Sequence, residues 1–167
     1  MRAVVLVLAF SILTWAAPAA AETLTLEARP AVGYRKGRPL RIRVVTLGWT
    51  DVEVTTARAF LAMATAAADD GVELWIRSGF RSHEEQRLFY QAWRQGWGNR
   101  AARPGHSNHQ SGRALDLYLA PGTYAWLEAN ARCFGFKRTV KGEPWHWEYV
   151  APPRKHRRPR RRAADRV

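Results

Sequence analysis

Cysteine is almost missing from this chain. Cys133 is the only one in 167 residues, which excludes an internal disulfide and any zinc site built on paired cysteines. Hydrophobic burial, alone or with a metal, is left to hold the fold. The thiol sits beside Phe134, late in an expected helix, and reads as a buried apolar side chain rather than a nucleophile. Acidic residues are also scarce, 14 against 27 Lys and Arg, for a formal charge of +13. Beyond the first twenty or so residues no apolar run is long enough to cross a bilayer. Internal repeats and the signs of a second folded domain are absent too, and the length suits a single core.

What is present begins with a leader. Arg2 precedes Ala3 to Ala17, apolar apart from Ser11 and Thr14, and Pro18 leads into Ala19-Ala20-Ala21. A short apolar run with a small-x-small cleavage pattern reads as a secretory signal peptide over residues 1–21; an uncleaved membrane anchor is the alternative. The protein is therefore expected to act in the periplasm or outside the cell. At the other end, Arg154 to Arg162 carries about half of the excess charge after Pro152-Pro153. Without apolar periodicity, residues 151–167 are expected to form a disordered basic tail. An anionic envelope surface is its expected partner, with a solvated tail that has no partner as the alternative; nucleic acid, the reading such a run invites in the cytosol, is set aside. A monomer is expected.

Residues 22–150 make the domain. Glu22 to Lys36 is polar and irregular, punctuated by Pro30 and Gly33. Leu40, Ile42 and Val44 alternate with Arg41 and Arg43 as a half-exposed strand. Thr55 to Asp69 reads as a helix with Ala57, Phe60, Leu61 and Ala64 on one face, ended by Asp70-Gly71. Val72, Leu74 and Ile76 alternate as a second strand. Ser82 and Glu85 form a capping box for a helix whose face carries Leu88, Phe89, Ala92 and Trp93. A loop from Gly96 to Gly105 follows, then a strand over Arg113 to Leu119. A short helix from Thr123 to Cys133 is stopped by Gly135, and Phe136 to Val140 with Trp145 to Val150 read as a last hairpin. Helices and strands joined by short turns imply an α+β fold, a small antiparallel sheet flanked by helices.

The chemistry concentrates in two stretches. In Gly105-His106-Ser107-Asn108-His109-Gln110-Ser111-Gly112-Arg113-Ala114-Leu115-Asp116-Leu117, a carboxylate stands between leucines in an apolar strand. Burying it unpaired is costly, so Asp116 needs an arginine, backbone donors or a metal. His109 lies seven residues earlier, and Gly112 permits the backbone to bend between them. The second stretch, Glu143-Pro144-Trp145-His146-Trp147-Glu148, adds His146. Two imidazoles and a carboxylate, with a fourth position open, suit a catalytic zinc. Glu143 is the candidate general base and acid. On a flat strand, however, residues i and i+3 point to opposite faces, so Glu143 and His146 share a site only if the chain bends, for which Pro144 is suited. Arg81, between a strand end and a helix start, is a candidate to hold an oxyanion or a carboxylate, or else to pair with Asp116 structurally. His106 is the rival ligand. His83 reads as solvated, His156 belongs to the tail, and Trp145 and Trp147 read as packing.

Together these residues resemble a known family. Ser78-Gly79-Phe80-Arg81-Ser82, the pattern Ser107-x-His109-x-x-Gly112-x-Ala114-x-Asp116 and Glu143-x-x-His146 are similar to the VanY-type D-alanyl-D-alanine carboxypeptidases, zinc peptidases related to D-Ala-D-Ala dipeptidases, phage endolysins and the hedgehog signalling domain. The resemblance spans roughly residues 55–150 and implies a hedgehog/D-Ala-D-Ala-peptidase-like fold. It implies Zn2+ on His109, Asp116 and His146, Glu143 as base, and Arg81 on the reacting carbonyl side, with Ser107 and Gln86 near the substrate terminus. The implied reaction removes the terminal D-alanine from peptidoglycan stem peptides. Alternatives are an endopeptidase of the same group that cuts cross-links, and a zinc-containing cell-wall binding module without activity, which would have no need of Glu143. His106 and Asn108 depart from the family pattern, which expects small or acidic residues there.

Overall fold

The computed structural model describes residues 27–151; the leader and the run after Pro152 lie outside them. Among the described residues, two antiparallel sheets and three α-helices make up the α+β fold. The first sheet runs in the order β1 (Arg29–Arg35), β2 (Arg38–Leu47), β3 (Thr50–Glu53). The expected irregular stretch before Lys36 is thus corrected. Arg29–Arg35 pairs along its length with β2, from Arg29↔Val44 to Arg35↔Arg38. The overlooked signal is the two-residue turn Lys36-Gly37, both at positive φ (51° and 77°), the backbone that joins tight hairpins.

Helix α1 (Val54–Asp69) follows directly, capped by the Glu53 carboxylate accepting from the Thr56 N–H. Ala57, Phe60, Met63 and Ala67 face the core. The second sheet has the order β4 (Ile76–Ser78), β5 (Ala114–Leu117), β7 (His146–Tyr149), β6 (Phe136–Lys137). The expected strand over Val72 to Ile76 is shifted: only Ile76–Ser78 pairs with β5, and Trp75 stays exposed. Helix α2 (His83–Arg94) carries the anticipated capping box between Ser82 and Glu85. Helix α3 (Thr123–Asn130) passes into a 3-10 turn over Ala131–Phe134 that leaves Cys133 half-buried, and Gly135 ends it.

The alternation of the second sheet divides its chemistry. Leu115, Leu117, Trp147 and Tyr149 point into the core with Ile76 and Phe136. Asp116, His146 and Glu148 occupy the alternate positions and so project from the opposite face. The core side supports; the other side carries the site. Among the described residues no helix is long and apolar enough to cross a membrane.

Candidate metal centre and active site

Asp116 and His146 are direct cross-strand neighbours on β5 and β7. The 3-10 turn Asn108–Ser111 brings His109 to the same place. Gly112, at φ 72°, ends that turn, and a Cβ there would meet Glu53 at 2.7 Å. Donor atoms of His109, Asp116 and His146 lie within 4.8 Å of one another, and all three residues are buried. His106 is exposed, near Gly37, and is not part of this cluster.

The ring nitrogens are already sorted. His109 Nδ1 lies 2.7 Å from the Gly79 carbonyl, which can only accept, so Nδ1 carries the proton and Nε2 turns its lone pair toward Asp116 Oδ1, 3.4 Å away. His146 is the reverse. Its Nδ1 lies 3.0 Å from Asp116 Oδ1, and its Nε2 3.3 Å from Glu148 Oε1. Burial opposes the positive charge on His146, yet the Asp116 and Glu148 carboxylates outweigh it and raise the pKa to about 9. Burial likewise pushes Asp116 and Glu148 upward, but the His109 and His146 rings beside Asp116, and hydrogen bonds from His146 and Thr139 to Glu148, hold both below the usual carboxylate range. Without metal, His146 is therefore an imidazolium between two carboxylates at neutral pH. Two nitrogens and an oxygen, each offering a lone pair to one point beside a cleft, fit a divalent ion that prefers nitrogen and oxygen ligands, zinc foremost.

Glu143 reaches the site because the chain bends. The His146 N–H donates to the Glu143 carbonyl at 3.1 Å, closing a turn through Pro144 and Trp145 that removes the opposite-face conflict of a flat strand. Glu143 Oε2 stands 3.9 Å from His146 Nδ1 on a carboxylate that is 43% exposed. Trp147 is core, whereas Trp145 lines the cleft.

Arg81 is aimed by Gln86. Gln86 is buried, its Oε1 accepting from Arg81 Nη1 at 3.1 Å and its Nε2 donating to the Ala102 carbonyl at 2.7 Å. The guanidinium lies 4.4 Å over the Phe89 ring and bonds Gln86 rather than Asp116. Burial lowers its pKa, and the fields of Asp116 and Glu85 pull it back up. Ser107 precedes the 3-10 turn without a capping bond and lines the cleft. The cleft holds about 990 Å³, at the upper end for a small-ligand site. Arg81, Phe89, Trp97, Asn108, Glu143 and Trp145 line it around His109, Asp116 and His146. Of the apolar face of α2, Phe89 and Ala92 line the cleft, while Leu88 is more than half exposed outside it. The feature missed in the sequence is Glu148, two residues beyond His146 on one strand and therefore on the same face.

Comparison with known proteins places this arrangement. A family model described as VanY, D-alanyl-D-alanine carboxypeptidase, matches residues 50–152. YodJ of Bacillus subtilis (strain 168), itself assigned as a carboxypeptidase, is 33% identical over 121 residues, covering 56% of this chain and 44% of the relative; the chain spans less than half of that protein. Among solved structures, a mutant of the vancomycin-resistance D,D-pentapeptidase VanY in complex with Zn(II) is 26% identical, with a TM-score of 0.56 over 66% of this chain and 79% of that one. VanYB in complex with D-alanine-D-alanine is 25% identical, with a TM-score of 0.60 over 71% and 84%. The LdcB LD-carboxypeptidase is 30% identical, with a TM-score of 0.53 over 60% and 59%.

Proposed function

Because this chain belongs to the VanY family of D-alanyl-D-alanine carboxypeptidases, we propose that it is a zinc peptidase releasing the terminal D-alanine from peptidoglycan stem peptides. The observation that carries the reading is the buried His109–Asp116–His146 cluster on one cleft with Glu143. His109 Nε2, an Asp116 carboxylate oxygen and His146 Nδ1 would hold the ion. Zinc bound there supplies a Lewis acid for the scissile carbonyl and lowers the pKa of a water.

The protein's own groups do the rest. Glu143, half in solvent, takes the proton of the attacking water on a carboxylate oxygen and returns it to the leaving amine, so that it ends each cycle ionised. Arg81, desolvated and held by Gln86, offers charge-assisted hydrogen bonds to the carbonyl oxygen or the substrate carboxylate. Ser107, on the wall of the same cleft, would meet the peptide end. The likeness to LdcB supports a second reading, cleavage of an L-to-D bond in a shorter stem. The leader and basic tail support a third element of the proposal, action outside the cytoplasm on an anionic envelope.

The test is to supply zinc-loaded protein with three substrates. They are a pentapeptide ending in D-Ala-D-Ala, the tetrapeptide left after its last residue is removed, and cross-linked muropeptides. D-Alanine from the pentapeptide alone is the expected result. Release from the tetrapeptide alone would move the assignment to the L,D bond, and splitting of dimers alone would make the protein an endopeptidase.

A further inference from the structure

His146 is backed by a carboxylate where His109 is backed by a backbone carbonyl, and that carboxylate is itself held by Asn108. Glu148 Oε1 receives three donors: His146 Nε2 at 3.3 Å, the Asn108 side-chain amide and the Thr139 hydroxyl. Asn108 stands immediately before His109 and forty residues from Glu148. One hydrogen bond therefore ties the turn carrying one imidazole to the strand carrying the other. Thr139 adds a tie from the segment leading out of β6. We propose that Glu148, clamped by Asn108 and Thr139, is the positioning residue of the metal centre, holding His146 with Nε2–H outward and Nδ1 toward Asp116.

The physical need is specific. An imidazole on a strand can rotate about χ2 and present either nitrogen. His109 is fixed by a backbone carbonyl, whereas the acceptor at His146 Nε2 is the Glu148 carboxylate. A carboxylate whose own torsions are free would fix nothing, and the two further donors remove that freedom. Partners behind a metal-bound histidine set its tautomer and basicity, and losing one typically costs 10–100-fold in metal affinity or activity. Asn108 lines the cleft and Glu148 does not, so the amide also shields the carboxylate from the substrate side. This inference rests on the reading of His109, Asp116 and His146 as metal ligands.

The experiment measures zinc affinity by competition with a chromophoric chelator, and the visible spectrum of the cobalt-substituted protein, for wild type, Glu148→Ala, Glu148→Gln and Asn108→Ala. Circular dichroism checks folding. Glu148→Ala is expected to bind roughly 10–100-fold more weakly, with a shifted cobalt spectrum. Glu148→Gln, whose amide oxygen still accepts from Nε2–H, should recover most of the affinity. Asn108→Ala, an exposed change that spares both ligands, should weaken binding by a smaller factor. Its effect should shrink further in the Glu148→Ala background, as expected for residues acting through one another. Wild-type affinity and spectrum in Glu148→Ala, or additive losses in the double variant, would overturn the clamp while leaving the metal site standing. Failure of the wild type to bind zinc or cobalt would overturn the metal reading itself, and the clamp with it.

Discussion

His109 and His146 turn opposite ring nitrogens to one oxygen. Nε2 of the first lies 3.4 Å and Nδ1 of the second 3.0 Å from Asp116 Oδ1. The opposition follows from what stands behind each ring, a backbone carbonyl for His109 and a carboxylate for His146. It brings a ring nitrogen to the centre from each side.

Metal binding should release a proton. In the metal-free protein His146 is protonated up to about pH 9, and a metal can only take Nδ1 after its proton leaves. Calorimetry at pH 7.5 in two buffers of different ionisation enthalpy should report about one proton released per zinc. Apparent affinity should rise with pH and level off near the His146 pKa. A pH-independent affinity between 6 and 8 would contradict this account.

The metal-free fold should be most stable in mildly acidic solution. His146 has its pKa raised from 6.5 to about 9, so its contribution is complete below about pH 6.5 and is lost as pH climbs through 9. Asp116 and Glu148 have theirs lowered from 3.8 and 4.5, so their contribution is present above about pH 4.5 and lost on acidification. Thermal unfolding of chelated protein should show the highest Tm between about pH 4.5 and 6.5. Zinc should raise Tm most at the alkaline end.

Replacing Glu143 by glutamine removes the proton carrier but leaves the turn and the three ligands. D-Alanine release should fall by roughly 10²–10⁴-fold, with zinc content unchanged. Equal turnover in both proteins would remove Glu143 from the proton path.

Gly79 is where β3 and β4 come too close for a side chain: a Cβ there would meet the Asp51 carbonyl oxygen at 2.4 Å. Its N–H also donates to Thr50 Oγ1, and its carbonyl orients His109. Gly79→Ala should cost about 1–3 kcal/mol in chemical denaturation and weaken zinc binding as the carbonyl is displaced. Wild-type stability in this variant would show that the strands can part freely.

Gln86→Leu keeps the buried volume but leaves the Ala102 carbonyl and the Arg81 guanidinium without their partner. A loss of about 1–3 kcal/mol is expected from the unpaired groups. KM should rise more than zinc affinity falls, because Arg81 lines the cleft without belonging to the ligand cluster.

The legible part of the site was the part whose burial carried a cost. Asp116 between two leucines announced a partner, because a carboxylate there cannot stand alone. Glu143 and His146 were harder: at a spacing of three on a strand they should diverge, and only the turn closed by the His146 N–H reconciles them. β1 escaped notice because Pro30 and Gly33 interrupt it and its few apolar residues lack the alternation that betrays β2. It is held by backbone pairing, and the Lys36-Gly37 turn was its one local sign. The spacing of apolar residues on α2 gave its face but not what that face borders, which for Phe89 and Ala92 is the cleft. Asn108 looked like a change to the pocket, and its partner forty residues away could not be read from spacing.

The two links that orient the ligand rings, Gly79 to His109 and Asp116 to His146, each bridge thirty positions of chain. Such closures lose entropy before any contact rewards them, and topologies dominated by them fold slowly. The metal pocket is therefore expected to be completed late: His109 and Asp116 stand seven residues apart, but His146 joins them only from thirty positions further along the chain. Refolding in excess zinc should reach the native state no faster than refolding in chelator, with the ion acting only to slow the way back.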